Sequence, residues 1–366
     1  MTLLFCYISI IEGGLMSEVN LVYQMYNTLS KSDKMRFMQM LGMPPQMTEI
    51  IDSSTMEEFL DKYRFHNGVC CPHCGLVDVK KNGKTKTGHQ RFQCKGCGKS
   101  FTYATRTIFH GAKLPLDTYL RYVHCMMHGM TVRATAYECR ISKNAAFFLR
   151  HKILDALQEM QSNVKLDGIV EADETFFRIS FKGNHSRSQF FSMPREPHMR
   201  GERSKKRGIS LEKVCVPCAV NRDGKSIARI ANLGRASVRS ISGVFGGRIS
   251  PDAVLCTDKH NAYVGFAERE GINLLQLKST QRVIGTLGIQ HINGYHSQLK
   301  TFMERFHGVA TKYLNNYLVW HNLRNYADGD FNFKESVWER HNAEAIYDDS
   351  KWTYMFRPPI PLPLAA

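Results

Sequence analysis

Gly168-Ile-Val-Glu-Ala-Asp173-Glu-Thr-Phe-Phe177 is the stretch on which the fold turns. It opens as a short, mostly apolar run and reaches an acid, the pattern of a buried strand that delivers a carboxylate at its end. Ala253-Val-Leu-Cys-Thr-Asp258 repeats that pattern. Between the two, Lys213 to Asn221 and Lys225 to Ala231 read as further strands, joined by the turn signal Arg222-Asp-Gly224. A long helical segment begins near Ile289. Strands followed by helices predict an α/β fold, and Asp173 and Asp258 are expected at strand ends, where open sheets place their sites. Two such aspartates alone are more often structural than functional, so a third element has to decide.

That element is Asn293-Gly-Tyr-His-Ser-Gln-Leu-Lys300. At helical spacing, Ile292, Tyr295, Leu299, Phe302, Met303 and Phe306 form one apolar stripe that faces a core. Asn293 and Lys300 are seven residues apart and share a second face, two turns from each other. A metal ligand and a basic group so placed suit a metal site that holds a phosphate. His291 and His296 are near enough in sequence to support such a site, but each reads first as an ordinary surface or packing histidine.

Upstream, residues 68–103 are rich in Cys, Gly, Lys and Gln and too poor in apolar runs to build a normal core, so they need a staple. Cys71-Pro-His-Cys74-Gly and Cys94-Lys-Gly-Cys97-Gly supply it, with nineteen residues (75–93) between the two knuckles. Two residues between cysteines let both thiolates of a tight turn reach one tetrahedral ion, and Val77 to Lys81 with Gln90 to Phe92 can form the hairpin of a zinc ribbon. The site is expected to be closed and structural. Cys70 and His73 are competing ligands; Cys71 is preferred because it alone starts a Cys-x-x-Cys pair. Arg91, Lys95 and Lys99 make the ribbon a plausible DNA-contacting knob. Cys215-Val-Pro-Cys218 has no second knuckle and reads as a buried thiol pair in a strand.

Residues 114–157 are again helical, with Leu116, Tyr119, Leu120, Val123 and Met127 in one stripe that Gly129 breaks. A short helix from Thr131 to Cys139, a turn, and a helix capped by Ser142 make a helix-turn-helix. Lys143, Asn144 and Phe147 fall on the first turns of its second helix, where base edges are met. Arg150 and Lys152, further on, suit phosphates. A plain helical connector is the competing reading. Residues 17–64 read as short helices, with Leu21, Met25 and Leu29 at helical spacing and Ser54-Thr-Met-Glu57 as a capping box ahead of Phe59 and Leu60.

The chain has 366 residues, enough for two or three domains. Its 43% hydrophobic and 22% charged content exclude wholesale disorder. Its 49 Lys and Arg against 33 Asp and Glu give +16 and favour a polyanionic partner. Within Arg195 to Lys213 seven basic residues outnumber three glutamates, the composition of an exposed arm for backbone contact. Leu3 to Ile11 is too short to span a bilayer and lacks signal-peptide features, so no membrane association is expected, and Met16 is an alternative start that would make 1–15 an upstream extension. With no export signal, the eleven cysteines are expected in a reducing compartment, as metal ligands or buried thiols. The tail Arg357-Pro-Pro-Ile-Pro-Leu-Pro is extended and peripheral.

With these motifs in place the chain resembles bacterial insertion-sequence transposases of the DDE superfamily, and more closely the group with an N-terminal zinc ribbon before a ribonuclease H-like domain. The resemblance rests on Cys71, Cys74, Cys94 and Cys97; on Ala-Asp173-Glu-Thr-Phe-Phe; on Thr-Asp258-Lys-His-Asn-Ala-Tyr263; and on His-Ile-Asn293-Gly-Tyr-His-Ser-Gln-Leu-Lys300. It extends through Arg305 to Trp320, and the thirty-four residues between Asp258 and Asn293 (259–292) resemble the superfamily's usual interval. One departure is Asn293, where the superfamily usually has Glu; the group it resembles includes members with Asn there and Lys seven residues later.

The resemblance covers about 65–325, and with the reading of the residues the expected organisation is an N-terminal helical region over 1–64, a zinc ribbon over 65–105, a helix-turn-helix over 112–158, a domain over 166–330 that the resemblance implies to be a catalytic ribonuclease H-like mixed sheet with flanking helices, and a tail over 331–366. It implies two Mg²⁺ ions, with Mn²⁺ as a substitute, held by Asp173, Asp258 and Asn293, with Lys300 on a phosphate near the transposon end. The implied activity is cleavage at terminal inverted repeats followed by attack of the freed 3′-hydroxyl on target DNA. The implied partners are double-stranded DNA, at transposon ends and target, and further copies of the chain in a synaptic complex. The implied setting is the bacterial cytoplasm, on the nucleoid. The competing functions are a non-catalytic DNA-binding regulator or domesticated transposase, and a nuclease that cuts without joining.

Overall fold

The computed structural model describes residues 68–106 (87 excepted), 113–184, 192, 208–278 and 283–324. The expected N-terminal helices, most of the basic arm and the C-terminal tail lie outside the described residues. The chain divides into two compact units, Met1–Asp61 and Lys62–Ala366, and the described residues all belong to the second.

The ribbon is three short antiparallel strands, β1 (Val79–Lys84), β2 (Gln90–Cys94) and β3 (Ser100–Phe101). The expected hairpin forms, displaced along its first strand, with an irregular register between Lys81 and Lys84. Its core is minimal. Cys71, Cys94 and Phe101 are buried, flanked by Val69, Val79 and Phe92, and the Phe92 ring stacks on Phe101 at 5.6 Å.

Three helices follow: α1 (Leu116–Met127), α2 (Val132–Glu138) and α3 (Lys143–Ser162). The caps are those the sequence predicts. Gly129 takes φ +65 just after α1, Thr131 Oγ1 accepts from the Ala134 N–H at 3.3 Å, and Ser142 Oγ accepts from the Ala145 N–H at 3.1 Å. The turn between α2 and α3 passes through Arg140 at φ +52. The side chains of Leu116 and Leu120 lie outside the described residues; Tyr119 and Val123 of the same stripe are buried.

The main sheet is built from β4 (Ile169–Arg178), β5 (Lys213–Asn221), β6 (Ser226–Ala228), β7 (Asn232–Leu233), β8 (Val254–Thr257) and β9 (Asn273–Gln276). Its order is β6-β5-β4-β8-β9, with β7 also on β5. The β6, β5 and β4 strands are antiparallel neighbours, whereas β4, β8 and β9 run parallel. The sheet is thus mixed, as expected. Helices α4 (Val238–Phe245) and α5 (Asn261–Glu270) cover one face. After the small β10 (Val283–Ile284) and β11 (Leu287–Gly288) hairpin, α6 (Gln290–Glu304) and α7 (Leu314–Arg324) cover the other.

Strand β4 corrects the reading of Asp173. The apolar run stops there, but pairing with β5 continues from Val170↔Asn221 to Arg178↔Lys213. Asp173 is therefore interior to a long strand, and only β8 ends as predicted. Cys215 and Cys218 are both buried, yet they serve different cores on opposite faces of β5, because a separation of three reverses the side-chain direction. They are two separate thiols rather than a pair. Pro217 sits in β5 between the residues that pair with β7 and those that pair with β6, where a missing N–H is tolerated.

Arg150 requires a second correction. It is fully buried and cannot reach a phosphate. Its Nη2 donates to the Met130 carbonyl at 2.7 Å and to Thr135 Oγ1 at 3.3 Å, and its guanidinium lies 4.8 Å from the Trp320 ring. The helical phase of α3 turns it towards α7 instead of solvent. The same interface is tied by Asn316, which donates to Asp155 Oδ1 at 2.8 Å and accepts from Gln158 Nε2 at 2.7 Å. Arg150→Ala is expected to lower unfolding free energy by about 2–4 kcal/mol in urea titrations, through lost packing and unpaired acceptors. Where the variant remains folded, DNA affinity should be unchanged; a selective loss of affinity at full stability would restore the contact role.

Candidate active site

Parallel pairing of β4 with β8 sets Ala172 opposite Thr257. The next residue on each strand is an aspartate, so Asp173 and Asp258 leave neighbouring strands at one level. Asp258 is exposed, and its Oδ1 accepts from the His260 N–H at 3.1 Å ahead of α5. Gln276 on β9 donates to the carbonyls of Asp258 and His260, both at 3.2 Å, and fixes that loop.

Asp173 is half-buried, and its Oδ1 accepts from the Glu174 N–H at 2.8 Å. Burial pushes its carboxyl up to about 7, and the charges of Glu174 and Asp258 add to the rise. Glu174 is pushed up to about 6, mainly by burial. By alternation it points through the opposite face of the sheet, towards Tyr263. Among the described residues, no lysine or arginine forms an ion pair with Asp173, Glu174 or Asp258.

The helix opposite them is held by a residue that the sequence reading passed over. Glu171, two positions before Asp173 on the same face, is 1% exposed and ion-pairs with Arg222 Nη2 at 2.9 Å. Its Oε2 accepts from the N–H groups of His291 (2.7 Å) and Ile292 (3.0 Å), in the first turn of α6. Helix α6 has no capping side chain of its own at Ile289. A carboxylate from the sheet thus satisfies its orphan donors and complements its dipole. Glu171→Ala is expected to cost about 3 kcal/mol of stability, since Arg222 and two N–H groups lose their partner. Thermal unfolding measures this, and a change below about 1 kcal/mol would show that α6 holds itself.

One turn along α6, His296 is buried and its Nδ1 lies 3.8 Å from Asp173 Oδ2. Burial, aided by the Lys300 charge, lowers its imidazole to about 4, so it is neutral at physiological pH. Asn293 and Lys300 are exposed. They sit three residues before and four after His296, on the flank that adjoins it. The structure thus places His296 beside Asp173, and Asp258 within Coulombic range of Asp173, but among the described residues the three do not gather their donor atoms within 4.8 Å of one another as the ribbon cysteines do. His291 is largely exposed, with Nδ1 3.0 Å from Glu171 Oε1. A signal for His296 was present, because it falls in the apolar stripe between Ile292 and Leu299, where a polar residue costs stability unless used.

In the ribbon, Cys71, Cys74, Cys94 and Cys97 place their sulfurs within 4.8 Å of one another, with Cys71–Cys97 and Cys74–Cys94 at 3.6 Å. Tetrahedral zinc with bonds of about 2.3 Å needs sulfurs about 3.8 Å apart. Gly75 and Gly98 adopt φ +75 and +70, the left-handed turn each knuckle requires. Cys70 and His73 stay outside the cluster. Lys95 pairs with Asp78 at 2.7 Å, while Arg91 and Lys99 are exposed.

On α3, Lys143 and Asn144 are exposed. Phe147 packs edge-on against His151 and Tyr313, and burial lowers Lys152 to about 8, so both are turned inward. Among the described residues no helix is long and apolar enough to cross a membrane.

Residues 165–321 match the family model of the ISXO2-like transposase domain. Residues 52–100 match that of the transposase zinc-ribbon domain. A Halobacterium salinarum protein described as an uncharacterized protein in transposable element ISH50 is 28% identical over 125 residues, 34% of this chain and 42% of that protein. The chain therefore spans less than half the length of that relative. Among solved structures, the Mos1 mariner paired end complex with Mn is similar at 12% identity and a TM-score of 0.26, over 60% of this chain and 74% of that one. A pre-cleavage Mos1 transpososome is similar at 11% identity and a TM-score of 0.20, over 93% and 98%.

Proposed function

We propose, for a chain that belongs to the insertion-sequence transposases with an N-terminal zinc ribbon, that it cleaves DNA at the terminal inverted repeats of its element and joins the freed ends to target DNA. The observation that carries this reading is the register of β4 and β8, which delivers Asp173 and Asp258 from neighbouring parallel strands to one level.

The donor set fits a hard divalent cation. Burial and two neighbouring carboxylates raise Asp173, and among the described residues no lysine or arginine ion-pairs with these carboxylates, while the more distant His260 and Arg235 act to lower them. Bound Mg²⁺ or Mn²⁺ would supply Lewis-acid polarisation of the scissile phosphate and a more acidic attacking water. Asp173 and Asp258 would hold it as oxygen donors, with the Asn293 amide oxygen as a neutral third. Lys300, two turns from Asn293, would take a phosphate near the cut as a point charge. Glu171 keeps that helix in register with the aspartates. When the freed 3′-hydroxyl replaces water as nucleophile, it attacks a target phosphodiester, its proton is lost to solvent, and the displaced 3′-oxygen leaves.

The ribbon, through Arg91 and Lys99, and the exposed Lys143 and Asn144 are the proposed end-binding surface, with the basic arm 195–213 for non-specific backbone contact. Two ends must be held together, so a homo-oligomeric synaptic complex is part of the reading. The test is incubation of the full chain with Mg²⁺ and a plasmid carrying the element's ends. Joined product supports the transposase. Cut but unjoined DNA supports a nuclease, and end binding without cutting supports a regulator.

A further inference from the structure

We infer that His296 is a direct ligand of the divalent cation at Asp173, so that a nitrogen donor works beside the carboxylates. The inference rests on the reading of this site as a cation site. Three observations carry it.

The first is distance. His296 Nδ1 and Asp173 Oδ2 are 3.8 Å apart, beyond hydrogen bonding. Two donors that share one cation through bonds near 2.1 Å stand about 3–4 Å apart, depending on the angle between them. The second is the absence of any other use for the ring. His296 is 8% exposed, its Nε2 is buried without a partner, and no hydrogen bond to Nδ1 is formed among the described residues. Nδ1, the nitrogen that faces Asp173, is therefore not engaged by another group, and with Nδ1 as donor the ring carries its proton on Nε2. The third is orientation. The carbonyl ladder of α6 and the bonds from Glu171 to the first turn fix the helix phase, so the ring enters the site from a rigid element.

An imidazole donor changes which ion the site prefers. Against an all-oxygen set, it raises affinity for Mn²⁺ relative to Mg²⁺, which keeps to oxygen ligands. The full zinc-loaded chain should therefore bind Mn²⁺ at least tenfold more tightly than Mg²⁺.

Pulsed EPR of Mn²⁺ added alone to the full chain tests the ligand directly. A coordinated imidazole gives a nitrogen hyperfine coupling. The expected result is a coupling in the wild type that disappears in His296→Gln, with Mn²⁺ affinity lowered at least tenfold. His296→Gln keeps a buried polar side chain of similar size, and circular dichroism checks its fold; the wild-type spectrum needs no variant at all. Mn²⁺ bound at Asp173 without a nitrogen coupling, or with one that survives His296→Gln, overturns the inference and leaves the cation site standing. If the wild type binds no Mn²⁺ that Asp173→Ala abolishes, the cation reading and this inference fail together.

Discussion

Asp173→Asn is expected to lower cleavage and joining by a factor on the order of 10³ or more, while binding of the transposon end stays within about twofold. The amide matches the carboxyl in size and leaves the β4–β5 ladder intact, so lost activity reports lost charge rather than lost fold. The same change should stabilise the protein in buffer without added divalent cation. The Asp173 carboxyl sits at about 7 in the folded state, against about 3.9 for a free aspartate. A raised folded value means the native state holds a proton that the unfolded chain releases. Stability is therefore lost as pH rises from about 4 through 7, by roughly 2–4 kcal/mol once the screening of a partly open side chain is allowed for. At pH 8 Asp173→Asn removes that cost and should raise the melting temperature by several degrees; towards pH 4 the gain should vanish. A variant that cleaves at wild-type rate would remove Asp173 from the site. Lower stability at pH 8 would show that the carboxylate is already neutralised within the fold.

The aspartates were legible because the chemistry and the strand pattern coincide in sequence. The apolar runs that lead to Asp173 and Asp258 and the helical spacing of the third element are local, whereas the register that sets the two aspartates level joins strands 85 residues apart (Ala172↔Thr257). The extent of β4 was not legible, because Asp173 and Glu174 interrupt its apolar run, and only pairing with β5 shows that it continues to Arg178. Arg150 was misread for a related reason. A basic residue on a helix-turn-helix invites a phosphate contact, whereas its burial depends on α7, more than 150 residues away in sequence (positions 150 and 314–324). Glu171 stood beside Asp173 in plain view, but its role exists only where β4 meets the first turn of α6. His296 lay in the apolar stripe, where its phase pointed inward. What sequence carries poorly is the long-range partner that decides whether a polar side chain serves as a cap, a core anchor or a ligand.

Loss of the ribbon's zinc is the other large expected effect. Three buried residues with three half-buried neighbours cannot order a 68–106 segment that is mostly exposed loop and polar strand. The ion must supply the difference, and structural zinc contributes on the order of 10–16 kcal/mol in isolated fingers. Cys94→Ser removes the buried thiolate at the end of β2. It should leave purified protein with less than one zinc per chain, open the ribbon to proteolysis, and weaken end binding by more than tenfold. Cys70→Ser, outside the sulfur cluster, should leave zinc content unchanged. The main sheet shares none of the ribbon's small core, so on the proposed function cleavage of non-specific DNA should fall far less than end binding. Stoichiometric metal analysis decides the matter: wild-type protein without zinc would mean that four thiols in tetrahedral array hold the ribbon together with no ion, which a core of this size cannot do.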